Sequence, residues 1–338
     1  MADLFNSLDL NELALRVATR SISWGGNYWY WGDAILFDGV VDAALKFNDR
    51  TLLDWATERV NSWLRSATPS WSDCVAPVRS IGRLIDTGHL HDTSGIERFV
   101  ERYYSRPNNE VGLPLLRPDE SRWNQVVWVD AVYNIPVALL VAARKLNDWS
   151  LRREAFNFAG KSMEVLKTPD GLAHFYDSGL RRNNEICWSR GVGWATLGLL
   201  DAALEAENDE KEWLVDQSQK LIGLLSDHER VGHWPTLLGD PSASFELSTS
   251  AFYIAATCHE LWTQVAKEKP DIWENACTRA LRTLLSNLAV DGVLHKVSRD
   301  TEASWEPADY RWPKLGPSPW GQGSAIRAFL SYASQEEA

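Results

Sequence analysis

The chain repeats one pattern about six times, and this repeat limits its possible folds more than any other feature. A mostly apolar segment at helical spacing is followed by a polar break and a second, amphipathic segment, as in FDGVVDAALKFNDRTLLDWATERVNSWL. Such pairs recur at intervals of roughly fifty to seventy residues. Repeats of this length indicate packed helical hairpins, which form either an open solenoid or a closed ring.

Clusters of aromatic and polar residues precede the first helix of each pair. They begin at Asn27, Trp71, Trp123, Cys187, Phe245 and Ser318. In a closed ring these clusters would converge at one end, whereas a solenoid would spread them along a groove. The first helices, such as IPVALLVAAR, carry few charges, while their partners carry charges along one stripe, which indicates an inner and an outer ring.

We therefore predict an all-α protein, an (α/α)6 barrel with small β-hairpins at its rim. Asp-Gly turns in KTPDGLAHFYDSG and LAVDGVLHKV mark the hairpins. No linker rich in Pro, Gly and Ser interrupts the pattern, so we expect residues 1–338 to form a single domain.

Composition narrows the possible functions. The net charge is −12, from 34 Lys and Arg against 46 Asp and Glu, which disfavours binding to nucleic acid. Eighteen Trp exceed the 9 Tyr and 10 Phe, which hints at ligands that stack on rings, such as sugars, although tryptophan also fills large cores.

Cysteine spacing and hydropathy suggest a location. The four cysteines, Cys74, Cys187, Cys258 and Cys277, lie far apart without a C-x-x-C pair, so we expect buried thiols. The first twenty residues lack a signal-peptide pattern, and no apolar stretch reaches eighteen residues. These features predict a cytoplasmic protein without membrane contact.

Asp130 is the first candidate for catalysis. The segment WVDAVYNIPVALL places it at the mouth of an apolar inner helix, between Trp128 and Tyr133. A sheltered carboxylic acid keeps its proton more readily and can serve as a general acid and base. The alternative is an N-cap whose carboxylate accepts hydrogen bonds from the helix.

Two further polar residues occupy equivalent clusters. Asp73, in WSDCVAP, matches Asp130 one repeat earlier, so the ring would bring two carboxylates to one face, unless Asp73 is also an N-cap. Asp33 and Glu246 are weaker members of this set. Arg190, in WSRGVGW, would suit a substrate carboxylate, or alternatively pair with a core carboxylate.

The histidines do not indicate a metal site. His89 and His91 lie between the helices of a pair, at the end opposite the clusters, and His228 and His233 lack the helical zinc spacing. We predict no metal and no cofactor. His174, in DGLAHFYD, is expected at the cluster end.

Taken in order, WVDAVYNIPVALL, DGLAHFYD, WSRGVGW and ELSTS resemble glycoside hydrolase family 105, the unsaturated rhamnogalacturonyl hydrolases, which are relatives of the family 88 unsaturated glucuronyl hydrolases. The resemblance extends from about Asn27 to Leu330. It implies an (α/α)6 barrel that removes a 4,5-unsaturated uronic acid from the non-reducing end of lyase-generated oligosaccharides. Protonation of C4 and attack of water on C5 would release the aglycone.

The resemblance also implies roles for particular residues. Asp130 matches the proton donor and base, Asp73 the second aspartate, and His174, Arg190 and Trp194 the residues of the sugar pocket. Trp29 matches an entrance aromatic through NYWYW. The clusters add further candidate substrate contacts, namely Trp31, Trp128, Trp188 and Glu246.

Two questions stay open at this level. The family's basic residue after a Gly-Gly-Phe-Trp-His-like stretch has Arg117 and Arg122 as candidate counterparts in VGLPLLRPDESRW. The other possible functions are an inverting glycosidase that uses two carboxylates on saturated sugars, and a sugar-binding protein without catalysis. The sequence does not indicate the oligomeric state.

Overall fold

The computed structural model describes residues 9–24, 31–66, 77–265, 271–299 and 301–337. In these ranges the chain is mostly helical. The helices are α1 (Leu10–Ser21), α2 (Ala34–Phe47), α3 (Arg50–Arg65), α4 (Val78–Asp86), α5 (Ser94–Tyr104), α6 (Ala131–Leu146), α7 (Trp149–Leu166), α8 (Ser189–Leu204), α9 (Asn208–Asp227), α10 (Ser248–Thr257), α11 (Glu260–Val265), α12 (Asp271–Leu285), α13 (Ala308–Arg311) and α14 (Pro319–Glu336).

The inner helices form a closed ring. Helix α2 packs on α4, α4 on α6, α6 on α8, α8 on α10 and α10 on α14, and α14 packs back on α2. Outside this ring, α1, α3, α5, α7, α9 and α12 each pack on an inner helix. The predicted (α/α)6 barrel is confirmed, and the open solenoid is excluded because α14 joins the two ends of the series.

Burial follows the predicted division into inner and outer helices. Every residue of α8 from Ser189 to Ala203 is buried, as is every residue of α6 from Ala131 to Ala143. In the outer helix α3 the buried residues lie on one face, and most of the other positions are polar. A contiguous cluster of buried apolar residues extends from Leu10 to Ala333.

An Asn-Asp pair makes the turn inside two of the hairpins. Asn48 and Asn147 adopt the left-handed conformation that ends α2 and α6, with φ of 50° and 54°. The aspartate that follows caps the next helix, because Asp49 accepts a hydrogen bond from Leu52 N and Asp148 accepts one from Ser150 N. The polar break predicted within FDGVVDAALKFNDRTLLDWATERVNSWL is therefore confirmed as a turn at Asn48-Asp49.

Short antiparallel strands lie in the segments that connect the helices of the ring. They are β1 (Val126–Trp128), β2 (Lys167–Thr168), β3 (Gly171–Leu172), β4 (Phe175–Asp177), β5 (Arg182–Asn183), β6 (Trp234–Pro235), β7 (Phe245–Glu246), β8 (Val297–Ser298) and β9 (Leu315–Gly316). Strands β2 and β3 form the first predicted Asp-Gly hairpin. The second predicted hairpin is a tight turn at Gly292, closed by a single bridge between Leu288 and Leu294.

A network of buried polar side chains joins the inner helices across the middle of the ring. Tyr133 donates to Asp38 Oδ2 at 2.8 Å and accepts from Arg327 NH1 at 3.0 Å, while Arg327 is paired with Asp201. Ser80 also bonds to Asp38. These residues come from α2, α4, α6, α8 and α14, so the network ties five inner helices together.

None of the helices in the described ranges has the length and apolar character needed to cross a bilayer.

Candidate active site

A backbone hydrogen bond brings two of the predicted site segments together. Strand β1 pairs with β4, and beyond the paired residues Val129 N donates to the carbonyl oxygen of His174 at 3.0 Å. Asp130 follows Val129 directly and stands at the start of α6. The side chains of Asp130 and His174 therefore share one end of the barrel, where the aromatic clusters were predicted to converge.

Asp130 does not use its side chain as a helix cap. Its backbone is helical, with φ of −58° and ψ of −29°, and the carboxylate accepts no hydrogen bond from α6. The residue is 5% exposed. Its Oδ2 lies 3.7 Å from His174 Nε2, and its Oδ1 has no hydrogen-bond partner among the described residues. The structure therefore excludes the N-cap alternative for Asp130.

His174 is enclosed by aromatic rings. Its ring centroid lies 4.3 Å from that of Trp188 and 5.6 Å from that of Trp128, and its Nδ1 is 2.7 Å from the hydroxyl oxygen of Tyr310. Burial lowers the pKa of His174, and the neighbouring Asp130 opposes that effect. The imidazole therefore resists protonation.

Arg190 is fully buried and makes several contacts within the protein. Its NH1 donates to the carbonyl oxygen of Ser298 at 2.8 Å and lies 3.7 Å from Glu246 Oε2. Its guanidinium also covers the Trp188 ring, 4.3 Å from the centroid. Arg190 therefore pairs with a core carboxylate, as the alternative interpretation proposed. Its guanidinium also donates hydrogen bonds to backbone and hydroxyl oxygens.

Glu246 acts as the cap of α10. Its Oε2 accepts from Ser248 N at 3.2 Å and its Oε1 from Thr249 N at 2.9 Å, and both hydroxyls also bond to it. The side chain has no exposed surface. Because four protein donors and the Arg190 guanidinium surround it, the Glu246 carboxylate has a structural role.

Three tryptophans, each from a different cluster that precedes an inner helix, pack together and form an aromatic wall. Trp31 stacks on Trp320, with centroids 5.4 Å apart, and contacts Trp194 by its edge at 6.4 Å. Trp194 in turn lies 4.9 Å from Tyr133, whose hydroxyl belongs to the network at the centre of the ring. The aromatic wall thus rests directly on the central network.

Several buried polar atoms here lack a partner in the part of the chain that the structure describes. They include the indole nitrogens of Trp128, Trp188 and Trp194 and the amide nitrogen of Asn134, one helical turn after Asp130. A buried N–H group without an acceptor is costly in a finished core but useful where a polar ligand enters. This end of the barrel therefore offers several hydrogen-bond donors in addition to the carboxyl oxygen of Asp130 that lacks a partner.

Two predicted site residues, Asp73 and Trp29, lie outside the described residues, as does Cys74. The sequence analysis missed Tyr310 and Trp320 as site residues. Tyr310 stands in a segment without a motif, whereas Trp320 belongs to the recognised cluster SPWGQG and could have been named from it.

His89 and His91 lie between α4 and α5, the two helices of one pair, as the sequence analysis predicted. His89 and His91 follow α4 and line a separate cavity of about 320 Å³ with Asp92. Among the described residues, no group of three or more His, Cys, Asp or Glu side chains could hold a metal ion. The predicted absence of a resident metal stays a prediction.

The fold and this site define a glycosidase built on a ring of helical hairpins. Residues 18–335 match the family model described as Glycosyl Hydrolase Family 88. The chain belongs to this family.

Known proteins agree with this assignment. The chain is 21% identical over 321 residues to the unsaturated rhamnogalacturonyl hydrolase YesR of Bacillus subtilis, with 88% of each chain covered. A structure from Salmonella enterica, described as a possible family 105 member, has a TM-score of 0.85 at 19% identity and covers 97% of this chain and 94% of its own.

The unsaturated glucuronyl hydrolase of Bacillus sp. GL1 has a TM-score of 0.73 at 16% identity, with 95% of each chain covered. At these identities the structural matches establish the fold. Together with the family model they confirm the predicted resemblance to families 105 and 88.

Proposed function

We propose that the protein hydrolyses oligosaccharides that carry a 4,5-unsaturated uronic acid at the non-reducing end. The observation that carries this proposal is the carboxyl group of Asp130, which is buried beside His174 and has one oxygen without a protein partner in the described chain. Polysaccharide lyases produce such ends. The named activities of YesR and of the Bacillus sp. GL1 enzyme support the same substrate class.

The chemistry requires a single acid that acts twice. The C4=C5 bond is a vinyl ether, so transfer of the Asp130 proton to C4 leaves a cationic centre at C5 that the ring oxygen stabilises. The ionised carboxylate then takes a proton from water while that water adds to C5. The hemiketal opens at the bond between C5 and the ring oxygen, and the resulting hemiacetal at C1 collapses to an aldehyde and the free aglycone.

The surroundings of Asp130 suit these steps. The rings of Trp128 and Trp188 pack on His174, which lies beside the acid, and the buried His174 imidazole resists becoming a positive charge there. The partnerless indole N–H groups would donate to sugar hydroxyls. We propose Trp31, Trp128, Trp188, Trp194 and His174 as substrate contacts, and Trp29 and Asp73 remain candidates on the basis of the sequence.

We propose Arg117 as the residue that meets the substrate carboxylate. Its guanidinium carbon lies 5.1 Å from the Trp128 ring centroid, and its charge opposes protonation of His174. The other candidate, Arg122, covers Trp123, and its side chain is 61% exposed. Arg190 would instead hold the wall in place through Ser298 and Glu246.

The inverting mechanism on saturated sugars needs a second free carboxylate opposite the first. Glu246 does not suit that role, because four protein donors already bind its oxygens.

The single-domain organisation and the cytoplasmic location stay predictions of the sequence.

The decisive experiment compares Asp130→Asn with Asp216→Asn, which changes a surface aspartate paired with Lys220. Unsaturated oligosaccharides from pectin, glycosaminoglycan and ulvan lyases serve as substrates, and loss of the ultraviolet absorbance of the C4=C5 bond reports the reaction. We expect Asp130→Asn to lose about a hundredfold or more in kcat while it still binds substrate, as measured by calorimetry. The proposal fails if the wild-type protein consumes none of these substrates, or if Asp130→Asn keeps the wild-type rate.

A further inference from the structure

The hydroxyl of Tyr310 lies at the centre of a buried group of hydrogen bonds behind His174. Its oxygen accepts from Ser304 N at 3.0 Å and from Asn184 Nδ2 at 3.3 Å, and it lies 2.7 Å from His174 Nδ1. Tyr310 has no exposed surface. The contact with His174 is the shortest of the three.

Counting donors and acceptors determines where the protons lie. A phenolic oxygen has one proton and two lone pairs, and two N–H donors already occupy those lone pairs. The Tyr310 proton must therefore point at an acceptor, and the acceptors are His174 Nδ1 at 2.7 Å and the carbonyl oxygen of Ser304 at 3.4 Å. That carbonyl already accepts from Asn184 at 2.9 Å. If Nδ1 carried a hydrogen, three donors would compete for two lone pairs.

Hydrogen-bond saturation at the hydroxyl thus makes Nδ1 an acceptor and leaves the imidazole hydrogen on Nε2. That nitrogen faces Asp130 Oδ2 at 3.7 Å, close enough for a small movement of either side chain to form a hydrogen bond. A donor directed at Oδ2 disfavours a proton on that oxygen.

We propose that Tyr310 is a positioning residue that holds His174 in the Nε2–H tautomer and thereby keeps the carboxyl proton of Asp130 on Oδ1. The value of this arrangement for the reaction rests on the proposed function of Asp130. Oδ1 is the oxygen without a partner in the described chain, so the proton would be held on the atom that can deliver it to substrate.

The opposite tautomer would impair the acid. An Nε2 lone pair facing Oδ2 would draw the carboxyl proton toward the imidazole, away from Oδ1. Tyr310 prevents this without carrying charge, since burial raises its pKa and the hydroxyl stays protonated. The charged groups that act on His174 are Asp130, Arg190 and Arg117, and the two guanidinium groups disfavour a second proton on the ring.

The first test reads the tautomer directly in the whole protein. Two-bond ¹⁵N–¹H correlation spectra at neutral pH distinguish the protonated from the unprotonated ring nitrogen of each histidine, and a His174→Gln sample assigns the His174 signals among the seven histidines. We expect a neutral ring with hydrogen on Nε2. Hydrogen on Nδ1 in the wild-type protein would overturn the proposal without any variant at Tyr310.

The second test is Tyr310→Phe, with Tyr253→Phe as the matched control. Tyr253 is equally buried, and its hydroxyl lies 2.8 Å from Ser226 Oγ. We expect Tyr310→Phe to give a mixture of His174 tautomers and to lower kcat about tenfold with KM changed by less than about twofold. The control should keep both the tautomer and kcat. A purely structural tyrosine would lower the melting temperature but leave the tautomer unchanged.

The outcomes separate this inference from the proposed function. If His174 stays entirely in the Nε2–H form in Tyr310→Phe, or if kcat is unchanged in that variant, Tyr310 is not a positioning residue. If the tautomer behaves as expected but Asp130→Asn retains full activity, the assignment of Asp130 as the acid fails and the coupling between Tyr310 and His174 stands.

Discussion

Arg327 and Asp201 form a two-point ion pair at the centre of the ring, with NH1–Oδ2 and NH2–Oδ1 distances of 2.6 and 2.7 Å. Burial alone raises the pKa of Asp201, but Arg327 and Arg79 outweigh it and hold that pKa below its usual range. The pair joins α8 to α14. It therefore acts beneath the aromatic wall, through Tyr133, which accepts a hydrogen bond from the same guanidinium.

Asp201→Asn should destabilise the protein by about 3–5 kcal/mol, because it leaves two buried guanidinium groups without a full counter-charge. Urea unfolding followed by tryptophan fluorescence measures the change. Asp216→Asn removes an exposed ion pair with Lys220 and should cost less than about 1 kcal/mol. Equal effects of the two substitutions would contradict the stabilising role of the central pair.

His174 should make stability depend on pH. Its pKa is lowered by burial, so below the usual histidine pKa of about 6.5 the unfolded chain binds a proton that the folded protein resists. Stability is therefore lost as the pH falls from about 6.5 through the lowered pKa. The melting temperature of His174→Gln should fall less between pH 7 and pH 5 than that of the wild type. His91→Gln, at an exposed position, is the control and should follow the wild-type curve.

Gly198 is required by the close approach of α6 and α8. A Cβ atom at this position would lie 2.6 Å from the carbonyl oxygen of Val132 and closer still to Tyr133 Cα. Gly198→Ala should destabilise the protein by about 1–3 kcal/mol and reduce activity, because the displaced turn of α6 follows Asp130.

Gly223, on the outer helix α9, is the matched control for Gly198. A Cβ atom there would meet nothing within 4 Å. Gly223→Ala should stabilise the protein by about 0.5–1 kcal/mol. Thermal melts and initial rates of both alanine variants test the pair, and a harmless Gly198→Ala would show that the two helices can separate at little cost.

Arg117→Gln should raise KM about tenfold on unsaturated disaccharides, because a charge-assisted contact to the uronate carboxylate is lost. Arg122→Gln should leave KM within about twofold, since its exposed guanidinium covers Trp123. A substrate whose carboxylate has been reduced to an alcohol should bind both variants and the wild type alike. If Arg117→Gln weakens binding of the reduced substrate equally, the contact is not electrostatic.

The ring architecture could be predicted from sequence because its signals are local. Inner helices such as α6 and α8 are mostly apolar, the breaks carry turn-forming residues, and the cluster that ends at Asp130 directly precedes its helix, so Asp130 could be assigned to the start of α6 without knowledge of any distant contact. The same reasoning left two possibilities for its side chain, because an aspartate at a helix start can cap or stay free.

Contacts between distant residues could not be predicted in this way. Tyr310 and His174 are 136 positions apart, and Arg327 and Asp201 are 126 apart. Each sits in a segment whose local pattern specifies only a helix or a turn. Their partners follow from ring closure, which depends on how the hairpins pack and not on the spacing of residues within any one of them.

Closure of the ring by α14 has a consequence for biosynthesis. Helices α2 and α10 each present an apolar face that stays uncovered until α14 has left the ribosome and docked between them. A chain that ended before Pro319 would therefore leave both faces exposed, which is the kind of surface that chaperones and proteases recognise.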